Sequence, residues 1–520
     1  MDNTGQGRLQ DRKPVAVIDI GSNSIRLVVY EGLSRSPTPL FQEKAMCGLG
    51  RFLNSTRRLN EETIPYALAS LARFAKLAAI CGVKERDLHP FATAAVRWAE
   101  DGAEFLALAG EACGVPIKVI GNIEEAQLAA TGIRAGFLHP SGIVGDLGGG
   151  SLELVRLRDN SCEETVSLPL GGLALLDETK GERAKAIPII AEALASLGWL
   201  SAAREEPFYA VGGTWRTLAK LHIEQTGYPL TAVHGYALDA RKALQISARY
   251  ANSSAAALRR MASMTTGREE TLPYGALLLN AVVRHMQPSD VVFSAFGVRE
   301  GIIYQLLGEA EREKDPLLAA SEDIAQLRAR SKQHSKELIR WTDALFELPG
   351  PPETAEERRL RHAACLLSDM AWRGQPDYRG EQNAVLVAQS ALVGVDHPGR
   401  AFLALCVYHR YERRLSGELV PKLSELIPRQ ERKRALIVGQ AFRLAHTLSA
   451  GMEGVLPQTM LRYEDERLVL RLSPQLQALD GEPLRRRLRI VARELGFIPE
   501  VQVSAQLTPP KPSLLGGLLG

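Results

Sequence analysis

The chain has 520 residues, 45% hydrophobic and 24% charged, and its 63 basic and 60 acidic residues give a net charge of +3, which excludes no class of partner. At about 150 residues per domain, this globular composition indicates three or four domains. The sequence shows neither the apolar core of a signal peptide nor an apolar run of about 18 residues, so we expect a cytoplasmic protein that does not span a membrane. The six cysteines form no CxxC pair, which favours reduced thiols over disulfides or a zinc site.

The first informative stretch is Val15–Tyr30, which reads VAVIDIGSNSIRLVVY. A β-branched apolar run ends at Asp19, and Ile25–Tyr30 leaves as a second strand. The residues of the predicted turn are small and polar: Gly21, Ser22, Asn23 and Ser24. Backbone N–H groups in such a turn can approach an anion closely. The stretch therefore predicts a phosphate-binding hairpin with a carboxylate at the end of a buried strand.

Two later segments carry charged residues at the start of predicted helices. Phe91–Trp98 passes from a short strand into a helix that carries Arg97, which is either a bidentate phosphate ligand or a solvated helix residue, and the sequence alone favours the second. Asn122 and Glu125 have the spacing of a capping box. Either Glu124 or Glu125 could instead be a general base that orients a water molecule, and the spacing does not choose between them.

A second hairpin repeats the first in Ile143–Leu157, IVGDLGGGSLELVRL. Both stretches share the pattern Asp-apolar-Gly-x-x-Ser-apolar-x-Leu-Val, beginning at Asp19 and at Asp146. The second predicted turn consists of Gly148, Gly149, Gly150 and Ser151. The repeat predicts a duplicated α/β unit with two phosphate-binding hairpins that face each other across a cleft. The alternative is two unrelated hairpins, because Gly and Ser are common in turns.

A third predicted anion site follows the buried-strand pattern Phe208–Val211. Gly213 and Thr214 come next and lead into a helix, whose N-terminal N–H groups would point at a ligand. Val291–Ser294 is the last strand predicted in this part of the chain.

Over residues 15–310 the chain resembles the exopolyphosphatase/guanosine pentaphosphate phosphohydrolase (Ppx/GppA) family of the actin-like ATPase superfamily. The resemblance rests on motifs that follow one another in the family's order: IDIGSNSIRL, TAAVR, GNIEEAQL, GDLGGGSLEL, VGGTWRTLA, HGY and FGVREG. It implies an α/β fold with two duplicated actin-like, ribonuclease H-like domains at 1–137 and 138–312. A phosphoanhydride would be hydrolysed in the cleft between them.

The resemblance also implies roles for individual residues. Glu125 would be the catalytic base, and the three turns with Arg97 would bind phosphate. Asp146 and Glu153, with Asp19, would be the acids that bind a divalent cation, Mg²⁺ or alternatively Mn²⁺. Two departures from the family pattern are Leu152, where a threonine is usual, and Ala295, where an acid is common.

Beyond Asp315 the predicted elements are helices, and the segment 313–450 is similar to an HD metal-dependent phosphohydrolase domain. The His-Asp pair that holds the metals is replaced by Ser368-Asp369, so we expect a degenerate HD-like domain without a second active site. Residues 451–510 suit a small α+β domain, and 511–520 a disordered tail. Six basic residues could line a path for a polyanion or form a solvated basic face: Arg410, Arg413, Arg414, Arg432, Lys433 and Arg434.

The sequence thus predicts metal-dependent, processive hydrolysis of terminal phosphates from inorganic polyphosphate. The alternative on the same centre is removal of the 5′ phosphate of guanosine pentaphosphate. An actin-like ATP-dependent kinase and a non-catalytic polyphosphate-binding regulator are the rivals from other classes. We expect a homodimer and neither a nucleic-acid nor a membrane partner.

Overall fold

The computed structural model describes residues 8–9, 11–159 and 161–505, and it divides the chain into two compact units. The first unit extends to Pro316 and includes Val393–Val395, and the second comprises Leu317–Leu392 and the chain from Asp396 onward. The predicted tail 511–520 lies outside the described residues. None of the helices that the structure describes combines the length and apolar character needed to cross a membrane.

The first half of the first unit is built on a five-stranded sheet in the order β3-β2-β1-β4-β5. Its strands are β1 (Val15–Ile20), β2 (Ile25–Tyr30), β3 (Pro39–Ala45), β4 (Leu88–Ala92) and β5 (Lys118–Val119). Its helices are α1 (Leu53–Thr56), α2 (Ile64–Ile80), α3 (Ala94–Trp98), α4 (Gly102–Cys113) and α5 (Asn122–Gly136). Apolar clusters cover both faces of β1, which explains its uninterrupted apolar sequence.

The second half of the first unit is built on a six-stranded sheet in the order β10-β11-β9-β6-β7-β8. Its strands are β6 (Gly142–Leu147), β7 (Leu152–Arg158), β8 (Ser161–Leu168), β9 (Phe208–Val211), β10 (Tyr236–Asp239) and β11 (Asp290–Phe293). Its helices are α6 (Gly172–Glu178), α7 (Arg183–Ala195), α8 (Gly198–Ala202), α9 (Gly213–Thr226), α10 (Ala240–Ala251), α11 (Ala255–Arg259), α12 (Leu272–Met286), α13 (Val298–Gln305) and α14 (Glu309–Arg312).

The two halves repeat one topology. The order β3-β2-β1-β4-β5 is matched by β8-β7-β6-β9-β11. In each half the first three strands of this order pair antiparallel and the remaining pairs are parallel. The duplicated α/β unit predicted from the two hairpins is therefore confirmed, and the alternative of two unrelated hairpins is wrong.

Helix α5 connects the halves and determines where Glu125 lies. Its Leu128 belongs to the apolar cluster on β1 and β2, whereas Ala126 and Ala130 belong to a cluster on β6 and β7. Helix α5 also crosses α13 so closely that a Cβ atom on Gly132 would collide with the Gly297 carbonyl. The N-terminal turn of α5 is thereby held between the two sheets.

The second unit is helical up to Ser449 and then forms a small sheet. Its helices are α15 (Pro316–Arg328), α16 (Lys332–Asp343), α17 (Ala355–Leu367), α18 (Arg379–Gln389), α19 (His397–His409), α20 (Leu419–Glu425), α21 (Arg429–Ser449) and α22 (Glu482–Leu495). Its strands are β12 (Thr459–Glu464), β13 (Arg467–Leu472) and β14 (Ile498–Val503), in that order. The HD-like character of this unit and the predicted limits of all the domains stay predictions.

Candidate active site

The turns of the two hairpins have the same geometry and touch each other. The Gly21 N–H donates to the Ser24 carbonyl (3.1 Å), and the Gly148 N–H donates to the Ser151 carbonyl (3.0 Å). A Cβ atom on Gly149 would lie 2.9 Å from the Cβ atom of Ser22, so the second turn requires glycine there. The two predicted phosphate turns therefore lie face to face.

Four amide groups at this contact are available to a ligand. In the part of the chain that the structure describes, the N–H groups of Ser22, Asn23, Gly149 and Gly150 donate to no protein acceptor. Ser22 is buried and the other three residues are partly buried, and adjacent backbone N–H groups without a protein acceptor are a natural place for an anion. The turns can accordingly hold phosphate oxygens.

The third predicted anion site carries a cation that the sequence analysis did not identify. Gly213 and Thr214 form the first turn of α9, whose leading N–H groups have no partner within the helix. Arg268 donates from Nη1 to the Thr214 hydroxyl (3.0 Å), and a Cβ atom on Gly213 would collide with the Arg268 guanidinium. The helix N-terminus and Arg268 together favour an anion.

The structure separates Glu124 from Glu125. Glu124 is partly exposed and forms an ion pair with Lys118. Glu125 is buried, and its Oε2 accepts a hydrogen bond from Arg97 Nη1 (3.0 Å). The predicted capping box is wrong, because Gly121 is the N-cap residue and no side chain caps this helix.

Arg97 is held in the site and not solvated, so the interpretation that the sequence alone favoured is wrong. Its Nη1 also donates to the Ile120 carbonyl (2.5 Å), but Nε and Nη2 are buried and have no hydrogen-bond partner among the described residues. An unpaired buried guanidinium nitrogen is costly. The free edge of Arg97 therefore suits a bidentate anion such as phosphate.

Asp146 and Glu153 stand directly opposite each other on β6 and β7. Burial raises the pKa of Asp146 to about 6, and burial raises that of Glu153 to about 7 although Ser151 and Ser167 donate hydrogen bonds to it. Burial and then the Glu153 carboxylate raise the pKa of Glu125 well above its usual value. Three acids thus lie close together in surroundings that disfavour their charged forms.

This donor set fits a hard divalent cation. Carboxylates are the ligands that Mg²⁺ prefers, and Mg²⁺ is usually held by one or two of them together with substrate phosphates. In the described residues no three His, Cys, Asp or Glu side chains form a metal-binding group by themselves. The prediction that Asp146, Glu153 and Asp19 bind the cation therefore stays a prediction. The Asp146–Glu153 pair fits a cation that is shared with substrate.

The charges of arginines act on both Asp19 and Asp146, but among the described residues only Asp19 has an arginine nitrogen within 4 Å. Its Oδ2 lies 3.6 Å from Arg299 Nε, and its partner across the hairpin is Arg26. Burial raises the pKa of Asp19, while the charges of Arg299 and Arg26 oppose that rise. Positive charge already faces this carboxylate.

Asp19 borders a cluster of six basic side chains that comes from both halves of the first unit. Burial and then the charges of neighbouring arginines lower the pKa of Arg216 to about 9. Burial and then the charge of Arg26 lower the pKa of Arg268 to about 10. We call this the basic cluster, and its members are Arg26, Lys44, Arg216, Lys220, Arg268 and Arg299. The sequence predicted no role for any of them. Two signals were available: Arg26, Arg216 and Arg299 lie within the quoted family motifs, and Arg216 and Lys220 are four residues apart on one helix.

The two departures from the family pattern have structural explanations. Leu152 is fully buried in the apolar core of the second half. At Ala295 the backbone carbonyl accepts a hydrogen bond from Arg216 Nη1 (2.9 Å), so this position still contacts the basic cluster without an acidic side chain.

In the second unit, two of the six residues of the predicted polyanion path are buried in ion pairs. Arg410 donates to Asp369 (2.8 Å), and Arg434 donates to Glu353 (2.5 Å). For these two the predicted path is wrong, because carboxylates distant in sequence neutralise them. Arg413, Arg414 and Lys433 are exposed and Arg432 is half-buried, and their role stays a prediction.

Asp369, the remaining half of the Ser368-Asp369 pair, is engaged by arginine. Arg330 donates to both of its oxygens, from Nε (2.8 Å) and from Nη2 (2.9 Å), in addition to the bond from Arg410. Guanidinium groups thus occupy the carboxylate that a metal would need.

Comparison with known proteins gives matches over both units. The family model described as "Ppx/GppA phosphatase family" matches residues 27–310, and the one described as "Exopolyphosphatase, C-terminal" matches residues 317–498. Exopolyphosphatase 1 of Mycobacterium leprae is 28% identical over 324 residues, covering 59% of this chain and 93% of that protein. Exopolyphosphatase 1 of Mycobacterium tuberculosis is 28% identical over 327 residues, covering 61% and 94%. A crystal structure of an exopolyphosphatase from Cytophaga hutchinsonii shares the fold, with 21% identity and a TM-score of 0.52 over 56% of this chain and 97% of that one.

Proposed function

Because the chain belongs to the Ppx/GppA phosphatase family, we propose that it is an exopolyphosphatase, which hydrolyses terminal phosphates from inorganic polyphosphate where its two hairpin turns meet. The observation that carries the proposal is the position of Glu125. It is buried beside Arg97 and near the Asp146–Glu153 pair. The names of the mycobacterial relatives supply the substrate class.

In this proposal Glu125 is the general base. A carboxylate held against Arg97 can orient a water molecule and accept its proton as the water attacks phosphorus. The free amides of the turns and the two unpaired nitrogens of Arg97 would hold the phosphate oxygens. Glu125 acts as a base only when ionised, and its raised pKa therefore predicts activity that increases with pH.

Asp146 and Glu153 would hold a divalent cation, Mg²⁺ or Mn²⁺, which when bound would offset the negative charge of the transferring phosphoryl group. Each of these acids would bind best when ionised, and their pKa values of about 6 and about 7 fall within the physiological range. Metal affinity should therefore also increase with pH in this range.

The basic cluster supports a long polyanion as the substrate. A single terminal phosphate needs only the turns and Arg97, whereas the six basic side chains of the cluster would bind phosphates further along a chain. Guanosine pentaphosphate remains the alternative for the same centre. The kinase and regulator alternatives lack a specific supporting observation.

For the second unit we propose a role in processivity. Arg413, Arg414, Arg432 and Lys433 would extend the substrate path in a degenerate HD-like domain (313–450), followed by a small α+β domain (451–510). Domains 1–137 and 138–312 would then form the catalytic core, and two chains would form a homodimer in the cytoplasm.

The test is phosphate release from long-chain polyphosphate, tripolyphosphate, guanosine pentaphosphate and ATP, assayed side by side with Mg²⁺. We expect long-chain polyphosphate to give the highest kcat/KM. The matched control is Glu125→Gln protein, purified in the same way, which reveals contaminating phosphatases. Preference for guanosine pentaphosphate would replace the proposal by its alternative. Release from none of the four by either protein would overturn it.

A further inference from the structure

Lys44 is a primary amine in the basic cluster, and no acidic side chain pairs with it in the part of the chain that the structure describes. It stands on β3 directly opposite Arg26 on β2, with its side chain half-buried. The charges that act on it are those of Arg268, Arg26, Arg216 and Arg299. Within the described ranges its side chain forms no ion pair and no hydrogen bond. A lysine of this kind has no evident use in the free protein.

The chemistry of lysine differs from that of its neighbours. A guanidinium keeps its proton in proteins, whereas an amine loses its proton when burial and like charges disfavour the cation. Burial and the four arginines lower the pKa of Lys44 to about 7. Near neutral pH, a large share of the molecules would therefore carry an uncharged amine there.

We propose that Lys44 binds a substrate phosphate and becomes protonated as the polyanion arrives, so that substrate binding takes up about one proton. This proposal rests on the proposed function and names a substrate-binding residue that neither the motifs nor the relatives indicate. Phosphate oxygens would screen the four arginines and hydrogen-bond the ammonium, which stabilises the protonated form.

The sign of the pH dependence follows from this linkage. The free protein loses the Lys44 proton as pH rises through about 7. The bound complex would keep that proton until the pH approaches the ordinary lysine value of about 10.4. Between about pH 7 and pH 9 the affinity for a polyanion should therefore fall by about five- to tenfold per pH unit from this group alone.

Other charged groups lie near the cluster, so the test compares variants. Asp19 and Glu300 face Arg299, and Lys220 on α9 lies among the same arginines as Lys44. These groups and the phosphates of the ligand are common to all of the proteins compared. The ratio of affinities between two variants at each pH isolates the residue that was changed.

The experiment is isothermal titration calorimetry of full-length Glu125→Gln protein, in which turnover is suppressed, with tripolyphosphate as the probe. Two buffers of different protonation enthalpy, at about pH 8, give the number of protons taken up, which should be about 0.9 from Lys44. Adding Lys44→Arg should abolish this uptake. The ratio of the affinity of the Glu125→Gln, Lys44→Arg protein to that of the Glu125→Gln parent should rise about five- to tenfold per pH unit between about pH 7 and pH 9.

Two further variants complete the test. Lys44→Met should also abolish the uptake and should bind more weakly than the parent at pH 7, with a difference that shrinks as pH rises. Lys220→Arg is the matched control and should keep the uptake. Unchanged uptake in Lys44→Arg protein, or its loss in Lys220→Arg protein, overturns the proposal. Proton-linked binding that depends on Lys44, together with no phosphate release by the unmodified chain, would overturn only the proposed function.

Discussion

The β1–β2 and β6–β7 hairpins have the same backbone geometry and differ in the charged residue that faces the aspartate. In each, an aspartate ends the first strand and a four-residue turn follows, closed by equivalent hydrogen bonds of 3.1 and 3.0 Å. The residue opposite the aspartate is Arg26 in the first hairpin and Glu153 in the second. The duplicated fold thus provides two similar phosphate turns but only one acidic end.

That difference suggests that the two hairpins have different functions. The Asp146–Glu153 pair has no arginine or lysine in an ion pair with it within the described residues, and a metal ion would compensate its charge. Asp19 already faces Arg299 and lies beside the basic cluster. We expect the acidic hairpin to govern turnover and the basic hairpin to govern substrate binding.

The strongest test of this difference in function compares the two aspartates. Asp146→Asn should remove Mg²⁺-dependent turnover, a loss of at least about 10³-fold, because an amide is a poor ligand for a hard cation. Asp19→Asn should cost far less, because its carboxylate already faces arginine. Steady-state kinetics at several Mg²⁺ concentrations separate lost metal affinity from lost chemistry. Equal losses in the two variants would mean that the hairpins are functionally equivalent.

The next largest effect should come from the glutamate near the acidic hairpin. Glu125→Gln should lower kcat by roughly 10²–10⁴-fold, the usual contribution of a positioned base. Glu124→Gln is the matched control and should change little, because Glu124 forms a surface ion pair with Lys118. Retained binding of polyphosphate would show that the Glu125 variant is folded. Reversed effects of the two substitutions would move the base to Glu124.

The sequence was informative wherever a local pattern determines a structure. The run from Val15 to Asp19 followed by a small polar turn predicts a buried strand and a hairpin, and its repetition at Asp146 predicts the duplicated sheet. Both features were confirmed because strand register follows from turn geometry and from burial. The strand Phe208–Val211 and the helix after it followed from the same kind of pattern.

The charge distribution could not be predicted in the same way. Arg26, Arg216, Arg268 and Arg299 come from distant segments, and a net charge of +3 does not reveal that they cluster. A dense run of basic residues at 410–434 suggested a surface path for substrate. Arg410 and Arg434 are instead buried in ion pairs with acidic residues that precede them by 41 or more positions. Tertiary pairing, which spacing does not encode, decides such cases.

A stability measurement sharpens the comparison at Glu153. Burial raises its pKa to about 7, so the stability that its protonated form contributes is present below about pH 4 and is lost as pH rises through about 7. Glu153→Gln should flatten the fall in unfolding free energy between about pH 5 and pH 8 in metal-free protein, by on the order of 1–3 kcal/mol.

Denaturant titrations at several pH values measure this effect. Glu206 is a control of opposite sign, because hydrogen bonds from Arg156 and Arg158 outweigh its burial and lower its pKa. The stability that its ionised form contributes is therefore lost only as pH falls below the usual pKa of a glutamate. If Glu153→Gln left the pH dependence unchanged, the acidic hairpin would not be electrostatically strained in the absence of metal.

The smallest effect concerns the basic hairpin. Arg26→Gln should raise KM for polyphosphate by about tenfold with little change in kcat, since it removes one charge-assisted contact that substrate makes before and during the reaction. It should also flatten the dependence of KM on salt, because fewer cation–phosphate contacts then displace counterions. Arg51→Gln, which removes an exposed arginine paired with Glu270, is the matched control and should alter neither quantity. A fall in kcat at constant KM would place Arg26 in contact with the transition state. The basic hairpin would then share the chemistry, and the difference in function inferred from Arg26 and Glu153 would be wrong.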